Sequence, residues 1–501
     1  MRRVYGVLLT ALFTTALVAG LWLGSAHAQT GEIVFLQTAE AGSLNPIWDW
    51  SVAGLGIHAH IYDPLVDMEG PELKLVPKLA TSWEIVNPTT WRFKLRQGVK
   101  FHNGQELTSE DVKFTFEAAN GPRSVKRSLV AQIDKVEAID RYTVQVVTKQ
   151  PDAALLARLA YLYILNKAAY EKDAEEYGRN PVGTGMFQVV KWDKDQQLVL
   201  QAFANYWGPK ARAAKLTVKP VKEATARLSE LQTGRADIIR GVPVEMAKEL
   251  GRDNQVQVIV ARGVRQIYYP LNALKPPFND KRVRQAVNYA VDREAIVKNI
   301  LEGYGEVRTG PFSPKQWGAD PAVKGYTYDL QKARQLLREA GYPNGIDVTW
   351  DITSGTAVKD VEIGEAVANM LRQVGIRVQL NTLEAAELIR KQNAGQFDIS
   401  QTSWSLQADP DSIISGLRIH SSVVLGFKNE AVDRLIDQTR MTMDPSKRLT
   451  VYHQLHRTLV EEAPFLMIHA QDEVFAARKG VNWSPYPFGG NAGMTYFVSM
   501  Q

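Results

Sequence analysis

Residues 403–412 carry side chains of the types that bind small molecules. Within this stretch, Trp404 offers an aromatic face, Gln407 can both donate and accept hydrogen bonds, and Asp409 supplies a carboxylate. The stretch follows a predicted strand at 397–400, and ligands of open α/β sheets lie beyond the carboxyl ends of the strands. We therefore expect these residues to face a ligand-binding cleft, although the Asp-Pro-Asp triplet that begins at Asp409 could instead form a structural turn.

Arg418 is a further candidate for a binding contact, because it follows a predicted helix just after this stretch. The planar fork of an arginine matches the two oxygens of a carboxylate, so Arg418 could meet an anionic ligand. The alternative is an ordinary surface charge in water.

Patterns typical of catalysis or metal binding do not occur in the sequence. His58 and His60 would point to one side of an extended chain, and His453 and His456 are three residues apart, but each pair lacks a third ligand. The chain has no Cys, which excludes disulfides, thiolate zinc sites and thiol nucleophiles. A nucleophile elbow, an HExxH motif and a nucleotide-binding loop are also missing. We therefore expect no metal, no cofactor and no catalytic residue, and a protein that is not an enzyme.

The elements that must position the binding residues alternate between strands and helices. Apolar spacing and glycine stops predict consecutive β-α-β units at the following residues: strand 348–352, helix 358–374, strand 376–380, helix 383–394 and strand 397–400. Such crossovers imply a parallel sheet covered by helices on both faces. The 501 residues, 45% of them hydrophobic, are enough for more than one domain. The net charge of +5 comes from scattered residues, which gives nucleic-acid binding no support.

The stretch 91–117 carries a more distinctive sequence pattern than any of these elements. Trp91 and Phe93 alternate with basic residues, as in a strand with one buried face. A second short strand at 99–101, an Asn-Gly turn and a helix with a capping box from Thr108 are predicted to follow. As a string, FKLRQGVKFHNGQELTSEDVKFTFE closely resembles the signature of the family 5 extracellular solute-binding proteins, the receptors of peptide and nickel ABC importers. Further stretches that resemble this family are 61–66, 77–83, 180–185 and 275–292.

The resemblance implies an α/β fold with two lobes that close like a Venus flytrap and an extra domain inserted in lobe one. Carried onto this chain, it places lobe one at 29–57, 180–265 and 470–501, the inserted domain at 58–179, and lobe two at 266–469. The solute would be buried between the lobes, and closure would be a hinge motion. Expected partners are a small solute and the permease subunits of an ABC importer in the inner membrane, with the receptor itself a monomer.

Aromatic residues near the cleft also follow from the resemblance. Trp48 and Tyr269 lie on segments that approach the cleft in the family, as do their neighbours Trp50 and Tyr268. Aromatic faces suit peptide side chains and sugar rings alike. For each of the four, packing in the protein core is the alternative.

The resemblance also bears on selectivity. In peptide-binding relatives an acidic residue shortly after the tryptophan pairs with the free amino group of the ligand, but here Leu406 or Gln407 holds that place. Gln407 cannot neutralise an ammonium, so a free peptide N-terminus has no partner unless Asp409 supplies one. We therefore expect a modified peptide, an opine-like amino-acid conjugate or a sugar derivative. Rival interpretations are a secreted hydrolase or chaperone on the same scaffold, and a binder of nickel, a metal complex or an oligosaccharide.

The first 28 residues are predicted to be a secretory signal peptide. Arg2 and Arg3 precede an apolar run at 4–24, and an Ala-His-Ala cleavage site ends at Ala28. Cleavage there would make Gln29 the mature N-terminus and place the protein in the periplasm. The apolar run also exceeds the roughly 18 residues that can span a bilayer, so an uncleaved anchor is the alternative.

Overall fold

The computed structural model describes residues 31–70, 73–405, 408–411, 425–483 and 499–500. The predicted signal peptide, Gln407 and Arg418 therefore lie outside the described residues. Within the described residues, no helix is long and apolar enough to cross a membrane.

The largest sheet has nine strands and mixed pairing. Strand Glu32–Gln37 pairs in parallel with Lys215–Pro220 and Ile238–Arg240, and the other pairs are antiparallel. The first strand reads EIVFLQ, a nearly continuous apolar run of the kind expected where both faces of a strand are covered. In spatial order the strands are Thr402–Ser405, Val256–Pro270, Phe465–Arg478, Ile238–Arg240, Glu32–Gln37, Lys215–Pro220, Gln197–Ala202 and Phe187–Asp193, with Gly305–Val307 also paired to Phe465–Arg478.

The two longest strands of this sheet, Val256–Pro270 and Phe465–Arg478, pair with each other along most of their length. Their register shifts between Ala261 and Arg265 and again between Gln266 and Tyr268. On one side of this break Phe465–Arg478 also pairs with Ile238–Arg240, and on the other side Val256–Pro270 pairs with Thr402–Ser405. The predicted lobe boundaries at 265/266 and 469/470 coincide with the break. The division of the chain into domains stays a prediction.

The stretch that resembles the family signature begins in a separate antiparallel sheet of four strands, in the order Ala80–Asn87, Thr90–Leu95, Thr143–Thr148 and Ile133–Asp140. Trp91 and Phe93 are buried, which confirms the predicted alternation. The capping box at Thr108 is also confirmed, and it begins helix Ser109–Ala119. The predicted strand at 99–101 is wrong, because only Lys100 makes an isolated bridge there.

The predicted crossovers are confirmed in part. Strands Ile346–Thr353 and Ile376–Leu383 pair in parallel, with helices Asp360–Arg372 and Ala385–Asn393 following them. The predicted strand at 397–400 is not formed, since Ile399 makes only single bridges to Trp350 and Leu271. The chain instead pairs continuously over Thr402–Ser405, which places Trp404 within a strand rather than after one.

Buried apolar residues form several clusters, one of which unites the four-stranded sheet with much of the nine-stranded sheet. A second cluster lies beneath Ile346–Thr353 and the helices around it. The remaining helices of the described residues are Val52–Ile61, Arg127–Val130, Leu155–Leu159, Lys167–Lys172, Ala174–Tyr177, Ala224–Gln232, Val244–Leu250, Lys281–Tyr289, Arg293–Asn299, Leu330–Glu339, Glu430–Met441 and Pro445–Glu462, and the short strand pairs are Val66–Glu69 with Lys74–Pro77 and Val481–Asn482 with Ser499–Met500.

Candidate ligand-binding site

Trp404 lies on the strand that ends the nine-stranded sheet. It pairs with Gln266 of the long strand, and its half-buried ring meets the Tyr268 ring edge-on at a centroid distance of 4.7 Å. The Tyr268 hydroxyl donates to the Pro311 carbonyl at 3.1 Å. Arg265 also holds this strand, donating from Nε to the Ser403 hydroxyl at 2.9 Å. Trp404 is therefore fixed at a sheet edge with part of its ring exposed.

Asp409 is buried, and its carboxylate accepts several hydrogen bonds. Arg448 donates from Nη1 and Nη2 at 2.5 and 3.0 Å, and the Tyr452 hydroxyl donates at 2.7 Å. The backbone N–H of Asp411 donates at 3.0 Å. These contacts correspond to the structural-turn interpretation of Asp409. A role as the anchor of a ligand ammonium would require this network to open.

Asp411 joins parts of the molecule that lie far apart in the sequence. Its carboxylate accepts from Arg440 Nε at 2.5 Å and from Arg158 Nη1 at 3.4 Å. Arg158 also pairs with the buried Asp152. The backbone N–H of Ala153 donates to the Arg440 carbonyl at 2.9 Å. The turn after Trp404 therefore contacts the segment at 152–158, which belongs to the predicted inserted domain.

Trp48 and Trp50 face different surroundings. The Trp48 ring lies under the Arg123 guanidinium, 3.9 Å from the ring centroid, and lines a surface cavity of about 420 Å³. The Trp50 ring stacks on Tyr161 at 6.2 Å and is 37% exposed. Trp50 is thus the member of this pair that contacts the 152–161 segment, through Tyr161.

Tyr269 lies in the protein core. It is 1% exposed, and its ring meets Trp350 edge-on at 5.0 Å. Burial raises the pKa of its hydroxyl well above the usual range. The position corresponds to the core-packing alternative, so a ligand contact by Tyr269 would require the local packing to change.

Two of the histidines considered as metal ligands are tied to the backbone. His58 Nε2 bonds to the Ser43 carbonyl at 2.9 Å, and His456 Nδ1 accepts from the Asp320 N–H at 3.0 Å. Burial lowers the pKa of His58, His60 and His456 to about 4, so all three are neutral. The part of the chain that the structure describes contains no group of three or more His, Cys, Asp or Glu side chains able to hold a metal.

One buried residue next to Trp50 was not predicted from the sequence. Lys126 is 1% exposed, and its ammonium lies 3.3 Å from the centroid of the Trp50 ring. Burial lowers its pKa to about 7, against the opposing effect of the Asp49 carboxylate. In the sequence it stands between Arg123 and Arg127 and resembles an ordinary surface lysine, so no local signal distinguishes it.

Comparison with known proteins assigns the chain to a family. Residues 74–421 match the bacterial extracellular solute-binding proteins, family 5 middle. The chain is 31% identical over 430 residues to the glutathione-binding protein GsiB of Shigella dysenteriae, covering 82% of this chain and 83% of that protein.

Solved structures agree with this match. The ABC transporter-associated periplasmic binding protein DppA from Helicobacter pylori, in complex with the peptide STSA, is 27% identical with a TM-score of 0.79, over 94% of this chain and 98% of that one. The binding protein AgaA from A. tumefaciens, in complex with agropinic acid, is 25% identical with a TM-score of 0.78, over 94% and 99%.

These matches confirm the two-lobe α/β fold and the function class predicted from the sequence. The protein is a periplasmic receptor that binds a peptide-like or related small solute and works with an ABC permease. The matched proteins are binding proteins of transporters, not enzymes. The chain belongs to the family 5 extracellular solute-binding proteins.

Proposed function

We propose that the solute binds between the Trp404 strand on one side and the segment at 152–161, with Trp50, on the other. The observation that carries this proposal is the contact between Asp411 and Arg158 at 3.4 Å, across 253 positions of sequence. Ala408, in the turn after Trp404, also packs against the cluster that contains Tyr161. A solute that touches both sides would favour the arrangement in which they meet.

The energy of closure supports simultaneous contact with both sides. A receptor that is open without ligand needs about 5.5 kcal/mol of differential affinity to change from about 1:99 to 99:1 closed. Contacts with one lobe alone contribute equally to the open and closed states, so they cannot supply this difference. The register break in the two long strands, near Gly263, is the place where we propose that the chain bends.

For the solute class we propose a modified peptide or an amino-acid conjugate of the opine type. The segment between Trp404 and Asp409 has no acidic residue, and the carboxylates of Asp409 and Asp411 are already held by arginines. An ammonium left unpaired in a closed cleft costs several kcal/mol. The relatives named above take glutathione, a peptide and agropinic acid, which is the range of chemistry expected here.

We also propose that the protein leaves its solute chemically unchanged. A receptor needs only to bind and release, and the carboxylates around Trp404 are engaged in hydrogen bonds that stabilise the fold. A secreted hydrolase on this scaffold would need a nucleophile or an activated water, and the sequence has no motif for either.

Mass spectrometry of the solute that accompanies the natively purified protein tests this proposal. We expect a peptide-like or opine-like molecule, released intact on denaturation. Adding it back to the emptied protein should contract the molecule in small-angle scattering, and Trp404→Ala should abolish or weaken that contraction. Recovery of a cleaved product, or saturation without contraction, would contradict the receptor mechanism.

A further inference from the structure

Lys126 is a buried amine without a polar partner in the described part of the chain. Its Nζ makes no hydrogen bond there, and the side chain is 1% exposed. A charge removed from water needs an opposite charge or several hydrogen bonds to compensate for lost hydration. A lysine in this position therefore binds a group from outside the protein, loses its proton as its lowered pKa allows, or destabilises the fold.

The carboxylate of Asp49, whose charge acts on Lys126, does not fill this role. The oxygens of Asp49 accept from the Ser51 N–H at 2.6 Å, the Ser51 hydroxyl at 3.0 Å and the Gly42 N–H at 2.9 Å. Asp49 acts on Lys126 through its charge only, without an ion pair between them. The face of the Trp50 indole does attract the ammonium, but a cation–π contact replaces only part of the hydration that burial removes.

The helix that follows Lys126 is linked by hydrogen bonds to the turn after Trp404, which the proposed function places at the cleft. It precedes the short helix Arg127–Val130, and the Leu129 carbonyl in that helix accepts from Arg158 Nε at 3.4 Å. Arg158 is the residue that reaches Asp411 in the turn after Trp404. Trp50, which covers the ammonium, is itself 37% exposed. Displacement of this one partly exposed indole would thus uncover Lys126.

Two further buried polar atoms in the same region lack partners among the described residues: Asn45 Nδ2 and His58 Nδ1. His58 is neutral, and with Nε2 donating to the Ser43 carbonyl its Nδ1 is a free acceptor. A water molecule could bridge such atoms. Bridging water is therefore the alternative occupant against which a ligand group has to be tested.

Building on the proposed function, we propose that Lys126 and Trp50 form a subsite for a carboxylate of the solute. The ammonium pairs with the anion, and the Trp50 indole turns aside to admit it and packs against the adjoining part of the solute. Together with the absence of an acid between Trp404 and Asp409, this subsite makes the cleft selective for anionic solutes. Glutathione and agropinic acid, which two relatives take, both carry carboxylates.

A crystallographic test uses bromide as the probe. Crystals of the full protein, freed of solute, are soaked in sodium bromide, and anomalous scattering locates the ion. We expect bromide within hydrogen-bond distance of Lys126 Nζ. A fully occupied water between Lys126 and His58, with no bromide at either, would overturn the subsite.

Calorimetry tests the same subsite in solution with four probes: glutathione, its diamide, N-acetylated STSA and the amide of that peptide. Lys126→Met should weaken the acids at least tenfold and leave the amides unchanged, while Lys126→Arg should retain most of the affinity. Lys172→Met, an exposed lysine of the same predicted domain, is the control and should change nothing.

Melting temperatures of the unliganded proteins separate binding from folding. Lys126→Met removes a buried amine that lacks hydrogen bonds, so we expect its melting temperature to match or exceed that of the wild type. A lower melting temperature together with equal losses for acids and amides would show a structural role and overturn the subsite. Acids bound as tightly by Lys126→Met as by the wild type would refute the subsite alone. If the wild type binds none of the four probes, that result counts against the proposed solute class, and the bromide experiment decides the subsite.

Discussion

The contact between Arg158 and Asp411 should hold the two sides of the cleft together. At the 3.4 Å separation of Nη1 and Oδ2, two unit charges attract by about 5 kcal/mol at an effective dielectric constant of 20. The side chains are 13% and 4% exposed, so solvent screens this attraction only weakly. Desolvation and the competing pair with Asp152 oppose it, which leaves about 2 kcal/mol for the contact across the cleft.

Asp411→Asn is the perturbation that removes the charge while keeping the shape. Arg158 retains Asp152, and Arg440 can still donate to the amide oxygen. A loss of about 2 kcal/mol from the closed state corresponds to roughly 30-fold weaker solute binding. Calorimetry with glutathione, or with the solute extracted from the native protein, measures this change, and small-angle scattering measures the accompanying expansion.

A matched control and a double-mutant cycle make the test specific. Asp347→Asn breaks an exposed pair with Arg377, at 2.6 Å, and should leave affinity within a factor of two. Combining Asp411→Asn with Arg158→Met isolates the coupling between the two side chains. The contact does not contribute to closure if both aspartate variants bind the solute equally well. The same conclusion follows if the coupling free energy calculated from the dissociation constants is below about 0.3 kcal/mol.

Three further predictions concern Trp404, Asp409 and His469. Trp404→Ala should weaken solute binding by about 1 kcal/mol or more through lost stacking area, and equal affinity for variant and wild type in calorimetry would place the solute elsewhere. Asp409→Asn should destabilise the fold by about 3 kcal/mol, because it leaves Arg448 buried without its counter-ion; a denaturant titration that shows no loss would contradict the turn role. Burial lowers the pKa of His469 to about 4, whereas the unfolded chain takes up a proton near pH 6.5. Its contribution to stability is therefore complete above about pH 6.5 and declines as the pH falls towards 4, by up to about 1.4 kcal/mol per unit. His469→Leu should flatten the decline of the melting temperature between pH 7 and pH 5, and an unchanged slope would argue against this origin.

Much of the fold could be predicted because it depends on neighbours in the sequence. The capping box at Thr108 forms where the residue types and spacing allow it, since the cap bonds to backbone within three residues. The alternation of Trp91 and Phe93 with charged residues sets which face of their strand is buried. The long string at 93–117 was specific enough to indicate the family, and with it the two-lobe fold and the receptor function.

The strand that carries Trp404 could not be predicted from the local sequence. Residues 397–400 are as apolar as a strand requires, yet only Ile399 finds bridging partners. The chain pairs instead at Thr402–Ser405, because that is where the long strand Val256–Pro270 offers free backbone groups. Strand pairing depends on a partner more than 100 residues away, which the local pattern does not contain.

What the sequence by itself determined is therefore the helix cap at Thr108, the buried face of the strand with Trp91 and Phe93, the family and the residue types proposed for the site. Only the tertiary structure decided how those residues are used: Tyr269 packs in the core, Asp409 is held by Arg448, and Lys126 lies under Trp50. The physical reason is that the energy of a charge or a ring depends on what surrounds it after folding. A surface lysine and a buried lysine cannot be told apart in the sequence. Their energies differ only after folding, when the buried side chain has lost its water and either has a polar partner or lacks one.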